Sequence, residues 1–96
     1  MATILVVDDN EANRYLKRTL LEAVGHRVLT ATNGAEALAI ARQTPLDLII
    51  SDVLMPGMDG FALRRACLRE ASLRRIPFIF YTATFCDDTD AELGHP

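Results

Sequence analysis

Three aspartates and one threonine are the residues of this chain whose types and spacing could do chemistry together. Asp8 and Asp9 follow one strand-like apolar run, Asp52 follows another, and Thr82 ends a third. If these runs are parallel strands, the four side chains meet at one edge of a sheet, because the carboxyl ends of parallel strands lie together. The three carboxylates would repel one another, since two unit charges about 4 Å apart cost roughly 4 kcal/mol at an effective dielectric near 20. A cation is therefore expected among them.

The chemistry of such a site favours Mg²⁺, which prefers oxygen ligands, keeps several waters and leaves room for phosphate oxygens. A carboxylate beside a bound cation can attack phosphorus to give an aspartyl phosphate, while the metal neutralises charge on the transferring group. Asp8 or Asp9 alone could equally be caps of the following helix. Asp52 could not, because residues 53–59 separate it from the next helix. The Thr82 hydroxyl could hydrogen-bond a phosphate oxygen, or it could simply face solvent.

The elements that must position these residues alternate along the chain. Continuous β-branched runs are typical of strands buried on both faces, and Asn10 and Asn33 are good helix N-caps. We expect strands at residues 3–7, 27–31, 46–51 and 77–82, and helices at residues 11–24, from Asn33 to before Pro45, at 60–71 and at 87–93. This order predicts an α/β fold, a doubly wound parallel sheet of four strands with three to four helices.

Composition restricts the class of protein. The chain has 96 residues, of which 50% are hydrophobic and 24% charged, as expected for one packed domain. The net charge is -3 and the basic residues are scattered, so direct nucleic-acid binding is not expected. No apolar run approaches the roughly 18 residues that span a bilayer, so we expect a cytoplasmic protein with no membrane partner. Two cysteines without a CxxC motif give no support for a disulfide framework or a zinc site.

Three sequence motifs resemble those of response-regulator receiver domains, the phosphoacceptor modules of two-component signalling. They are VVDDN at residues 6–10, SDVLMPGMDG at residues 51–60 and YTA at residues 81–83. Their order and spacing match the family over nearly the whole chain, and the second motif is far more specific than a pair of acids. The resemblance implies a flavodoxin-like receiver fold and a phosphorelay. In it, a histidine kinase or histidine phosphotransfer protein donates a phosphoryl group, with Mg²⁺ as cofactor.

The resemblance also implies a role for each matching residue. Asp52 corresponds to the phosphoacceptor. Asp8 and Asp9 correspond to the acidic metal pair, with Asp9 the more direct ligand, and the Leu54 backbone carbonyl corresponds to the third protein ligand of the metal. Two further residues match the family's switch hydroxyl and the small residue that leaves space for phosphodonors, namely Thr82 and Ala83.

One departure from the family pattern stands out. A complete receiver has five strands and five helices, and its fifth strand ends in a lysine that pairs with the phosphate. The only lysine here is Lys17, whose backbone should lie roughly 10 Å along the first helix from the acidic site, which makes it a poor substitute. We therefore expect residues 1–96 to form one receiver domain truncated before the fifth strand and helix. An uncovered strand edge also raises the expectation of a homodimer or strand exchange.

Other functions remain as alternatives. A receiver-like interaction module that is not phosphorylated would keep the same fold and motifs. A phosphohydrolase with an aspartyl nucleophile needs a second acid two residues further on, where this chain has Leu54, so an enzyme is not expected. A nucleotide-binding domain is disfavoured because Asp8-Asp9-Asn10-Glu11 stands in place of the glycine-rich turn that follows its first strand, and the acids there would repel a pyrophosphate.

Overall fold

A computed structural model describes residues 1–82, and within this range strands and helices alternate along the chain. The elements are β1 (Thr3–Val7), α1 (Glu11–Ala23), β2 (Arg27–Ala31), α2 (Gly34–Gln43), β3 (Leu48–Asp52), α3 (Gly60–Leu68) and β4 (Phe78–Tyr81). The alternation confirms the predicted α/β class. The helix predicted at residues 87–93 lies outside the described residues. No helix in the described part of the chain is long and apolar enough to cross a bilayer.

The four strands form one parallel sheet in the order β2-β1-β3-β4. The chain runs from β1 outward to β2 and then crosses to β3 on the other side of β1, so the strand order reverses between β1 and β3. In open α/β sheets, ligands bind beyond the carboxyl ends of the strands at this switch point. β1 ends at Val7, opposite Ser51 of β3, and the next residue of β3, Asp52, lies opposite Tyr81 of β4. The aspartates therefore come to the switch point.

The main core lies between the sheet and the helices α2 and α3, which pack against each other. Alternation along β1 turns Leu5 and Val7 towards this face, and both are fully buried. Leu63 of α3 is also fully buried against them. Each such aliphatic side chain contributes about 1.5–3 kcal/mol of burial free energy. This core fixes α3, and with it the loop that leads from β3 into α3.

Helix α1 lies on the other face of the sheet, against β1 and β2. None of its residues is buried by the described part of the chain, and Leu16, Leu20 and Val24 are each more than half exposed. Among residues 1–82, β4 pairs only with β3, so its outer edge is open, and Ile79 on that strand is half exposed. The described residues thus cover the α1 side of the sheet much less than the α2 and α3 side.

Several element boundaries differ from the sequence prediction. Helix α3 ends at Leu68 instead of Ala71, and the chain continues in tight turns, in which the Leu73 amide donates to the Glu70 carbonyl at 2.9 Å. These turns bring Leu73, only 2% exposed, into the core, so tertiary burial overrides continuation of the helix.

Strand β3 is displaced by one to two residues, to Leu48–Asp52 instead of 46–51. Its pairing starts only after Asp47, whose amide donates to the Thr3 carbonyl at 2.8 Å. At the other end of β3, Asp52 still pairs with Tyr81 of β4, so it is the last residue of the strand and not the first of the loop. β4 is one residue shorter at each end than predicted, at Phe78–Tyr81.

Candidate phosphoacceptor site

The carboxylates of Asp8, Asp9 and Asp52 meet at the carboxyl edge of the sheet. One carboxylate oxygen from each residue can be chosen so that all lie within 4.8 Å of one another. Asp8 and Asp52 are buried, whereas Asp9 is exposed. The sequence prediction that these acids form one group is confirmed. The group gathers three negative charges around a space that opens to solvent on the Asp9 side.

Asp8 is held by hydrogen bonds to all of its available oxygens. Its Oδ1 accepts the Asn10 amide at 2.8 Å, and its Oδ2 accepts the Tyr81 hydroxyl at 2.5 Å. Its backbone carbonyl accepts Nη1 of Arg14 at 2.8 Å, which places a guanidinium beside the acidic group. The bonds from the Asn10 amide and the Tyr81 hydroxyl fix the orientation of the carboxylate. Arg14, one turn into α1, is anchored on the backbone of Asp8.

Asp52 is buried at the end of a central strand, and this environment works against its charge. Burial raises the pKa of the Asp52 carboxyl, and the charges of Asp8 and Asp9 raise it further. The Leu54 amide, which donates to Asp52 Oδ1 at 3.2 Å, lowers the pKa and offsets part of this effect. A cation bound beside Asp52 would therefore offset the electrostatic cost of keeping this buried carboxylate ionised next to Asp8 and Asp9.

The loop after Asp52 is shaped by two glycines for different reasons. Gly57 has φ +81°, a left-handed conformation that side chains other than glycine rarely adopt. At Gly60 the requirement is space, because a Cβ there would lie 2.6 Å from the Asp52 carbonyl oxygen. The Gly60 amide also donates to the Val53 carbonyl at 3.0 Å, which closes the loop. The start of α3 is thus packed directly against the backbone of Asp52.

Tyr81 and Lys17 also belong to the site, and the sequence did not place them there. Tyr81 lies opposite Asp52 in the sheet, and its hydroxyl donates a hydrogen bond to the Asp8 carboxylate. The Lys17 ammonium lies 4.0 Å from the centre of the Tyr81 ring. Burial raises the pKa of the Tyr81 hydroxyl far above its ordinary value, as do the bond to Asp8 and the surrounding acids, so the hydroxyl stays a donor. Lys17 reaches this far because helix side chains lean towards the N-terminus. Two features of the sequence could have indicated this contact, namely a tyrosine at the end of a strand and the single lysine on the first helix.

The remaining predicted site residues have fewer contacts in the structure. Thr82 directly follows β4, at the same edge of the sheet as the aspartates, and is exposed. Leu54 is bonded to Asp52 through its amide, and its side chain is nearly half exposed. The roles expected for the Thr82 hydroxyl and the Leu54 carbonyl stay predictions. Ala83 lies outside the described residues.

The donor atoms of the acidic group fit a magnesium ion. The group consists of carboxylates alone, with no histidine or cysteine, and hard divalent cations prefer such oxygen ligands. Three protein carboxylates also leave coordination positions for water or phosphate oxygens, as Mg²⁺ requires. The buried, charge-crowded Asp52 gives a physical reason for a cation to bind.

Comparison with known proteins agrees with this geometry. The family model described as "Response regulator receiver domain" matches residues 4–93. Protein PilH from Pseudomonas aeruginosa is 40% identical over 94 residues, which cover 98% of this chain and 77% of PilH. Response regulator PleD from Caulobacter vibrioides is 46% identical over 82 residues, which cover 85% of this chain but only 18% of PleD. This chain thus matches most of one relative and a small part of another.

Solved structures give the same result at the level of the fold. The N-terminal domain of a response regulator receiver protein from Methanoculleus marisnigri superposes with a TM-score of 0.84 at 35% identity, covering 98% of this chain and 77% of that one. Chemotaxis response regulator CheY4 of Vibrio cholerae superposes with a TM-score of 0.80 at 39% identity, covering 83% and 67%. With the acidic group at the switch point of a parallel sheet, these matches show that the chain belongs to the response regulator receiver domain family.

Proposed function

We propose that this receiver domain accepts a phosphoryl group on Asp52, in a phosphorelay that uses Mg²⁺. The observation that carries the proposal is the position of Asp52, a buried carboxylate at the switch point within 4.8 Å of two further carboxylates. The Leu54 amide holds Oδ1 of Asp52. The surroundings of Asp52 disfavour its charge, so this acid lowers the stability of the metal-free fold at neutral pH and is suited to chemistry instead.

The proposed reaction transfers a phosphoryl group from a histidine nitrogen of the donor to a carboxylate oxygen of Asp52. A carboxylate oxygen of Asp52 attacks the phosphorus of a phosphohistidine, the phosphorus–nitrogen bond breaks, and the released imidazole takes up a proton. The product is an acyl phosphate on Asp52. A bound Mg²⁺ would supply neutralisation of charge on the transferring group. Asp8 and Asp9 would hold it with Asp52 and the Leu54 carbonyl, with Asp9, the exposed acid, as the more direct ligand.

After transfer, the Thr82 hydroxyl is proposed to hydrogen-bond a phosphate oxygen, and Ala83 to leave space for the donor. Thr82 lies at the correct edge of the sheet for this role, directly after the strand that pairs with β3. Phosphorylation then favours the conformation in which this hydroxyl contacts the phosphate. A local modification thereby shifts the conformational equilibrium of the whole domain.

The proposed donors are a histidine kinase or a histidine phosphotransfer protein, and the proposed location is the cytoplasm. We also propose that the chain can pair with a second copy through the outer edge of β4, which residues 1–82 leave unpaired, because unpaired strand edges associate readily. Sedimentation at several concentrations tests this pairing. A concentration-dependent dimer is expected, and a monomer at all concentrations would contradict it.

The test of the proposed function is intact-mass spectrometry after incubation with acetyl phosphate, with and without Mg²⁺. Wild-type protein is expected to gain one base-labile phosphoryl group that depends on Mg²⁺. Asp52→Asn should gain none. Asp47→Asn is the matched control, since Asp47 is an exposed acid before β3, at the opposite end of the strand from Asp52, and should behave like the wild type. The absence of any gain in the wild type would favour the alternative, an interaction module of the same fold that is not phosphorylated.

A further inference from the structure

Tyr81 contacts the acidic group although it is not one of the proposed metal ligands. Its hydroxyl donates to Asp8 Oδ2 at 2.5 Å, a length typical of a hydrogen bond from a hydroxyl to a charged carboxylate. The ring is half-buried on the face of the sheet that carries α1. The Val7 carbonyl lies 3.5 Å from the same hydroxyl, so the phenol has a second, weaker acceptor nearby.

The two hydrogen bonds on the Asp8 carboxylate differ in how easily they can break. The bond from the Asn10 amide is set by the backbone that leads into α1, where Asn10 is also the N-cap. The bond from Tyr81 comes from a side chain that reaches across from β4. A change in the χ1 angle of Tyr81 swings its hydroxyl away and breaks the second bond, whereas breaking the first requires the start of α1 to move.

Lys17 holds the tyrosine ring from the helix side. Its ammonium lies 4.0 Å from the centre of the Tyr81 ring, within the range of a cation–π interaction. The ammonium, the ring and the Asp8 carboxylate therefore form a chain of contacts from α1 to the acidic group. A positive charge arriving at the aspartates weakens both ends of this chain, because it competes with the phenol for Asp8 and repels the ammonium.

We propose that Tyr81 is a built-in competitor for the cation: its hydroxyl occupies Asp8 in the metal-free domain and releases it when a divalent cation binds. This inference rests on the proposed magnesium site. Tyr81 thereby sets the affinity of the site, and its release couples cation binding to a movement of the ring and of Lys17. Removing the hydroxyl removes a bond that must otherwise break, so the metal should bind more tightly.

The experiment is calorimetric titration of MgCl2 into the whole 96-residue protein, comparing the wild type, Tyr81→Phe and Tyr15→Phe. Tyr81→Phe should bind Mg²⁺ about tenfold more tightly, at the lower end of what a hydrogen bond to a charged group contributes. Tyr15 is 70% exposed on α1, and its variant should bind like the wild type. If Tyr81→Phe binds Mg²⁺ no more tightly than the wild type does, the inference about Tyr81 is wrong but the proposed magnesium site stands. Binding by none of the three would overturn the magnesium site as well.

A second readout does not depend on the Tyr81 variant being folded. The chain has two tyrosines and no tryptophan, so in Tyr15→Phe the emission comes from Tyr81 alone. A phenol bonded to a carboxylate is quenched, and its release should raise the emission as MgCl2 is added, with the midpoint found by calorimetry. Emission that stays constant while calorimetry detects binding would show that Tyr81 keeps its bond to Asp8, and the inference would be wrong.

Discussion

Asp52→Asn is expected to stabilise the metal-free domain while abolishing its function. The amide has the shape of the carboxylate and can still accept the Leu54 amide through its oxygen. What it removes is one negative charge from a group of three. Asp52 is only 3% exposed, so this charge is poorly screened by solvent. The variant therefore separates the electrostatic cost of the site from its geometry.

The magnitude follows from the distances. Two unit charges 4.8 Å apart, the separation that bounds the carboxylate oxygens of this group, repel by about 3–4 kcal/mol at an effective dielectric near 20. Asp52 has two such neighbours, but Asp9 is exposed and Asp8 is stabilised by Tyr81, so most of the sum is offset. We expect a net gain of about 1–3 kcal/mol in the free energy of unfolding at neutral pH.

Urea unfolding in EDTA at neutral pH measures this gain. With a denaturant slope of about 1 kcal/mol per M for a small domain, the midpoint should move upward by about 1–3 M. Asp47→Asn, the same chemical change at an exposed acid before β3, should move it by much less. In saturating Mg²⁺ the advantage of Asp52→Asn should shrink by about 2 kcal/mol or more, because a ligand at 100 times its Kd adds about 2.7 kcal/mol to the wild type and Asp52→Asn should lose most of this.

The dependence on pH provides a further check. Because burial and the neighbouring acids raise the pKa of Asp52 in the fold, the folded state favours its protonated form. The penalty is absent at low pH and appears as the pH rises through the raised pKa. The difference between Asp52→Asn and the wild type should therefore shrink on acidification. An Asp52→Asn protein that is less stable than the wild type in EDTA at neutral pH would refute the reasoning.

The remaining predictions concern the scaffold that holds the site. Gly60→Ala should destabilise the domain by about 2–4 kcal/mol in thermal unfolding, because its methyl group would meet the Asp52 carbonyl, whereas Gly57→Ala, strained but unobstructed, should cost about 1 kcal/mol. Leu63→Ala should cost about 2–5 kcal/mol because Leu63 is fully buried, and Leu68→Ala, nearly half exposed, should cost far less by the same assay. Asn10→Ala should cost about 1 kcal/mol and lower the helical circular dichroism signal, because its side chain caps α1.

The sequence predicted the grouping of the acids because that grouping depends on topology. Once residues 3–7 and 46–51 are read as parallel strands, Asp8 and Asp52 must meet at one edge, whatever the details of packing. The two asparagine caps are also local, since each acts on an amide three residues further on. Such features need only the chain near them and the order of the strands.

The parts that the sequence missed depend on contacts between distant residues. Nothing in the sequence placed Tyr81 at the acidic group, because strand alternation gives the face on which its ring lies but not how far its hydroxyl reaches. The end of α3 depends on the burial of Leu73, five residues beyond Leu68. The role of Gly60, which is to leave room for the Asp52 carbonyl, also depends on a contact that the sequence does not display. In each case tertiary packing decides.

The placement of the acids on the two inner strands has a consequence for how the domain moves. β1 and β3 are each hydrogen-bonded on both sides, whereas β2 and β4 each have one neighbour within residues 1–82. Amides of the inner pair should exchange with deuterium only on global unfolding, and those of the outer strands through smaller openings. Asp8 and Asp52 thus stand on the most rigid backbone of the sheet. Any signal that leaves this site must travel through side chains and loops, because the strands beneath it cannot shift without unfolding the domain.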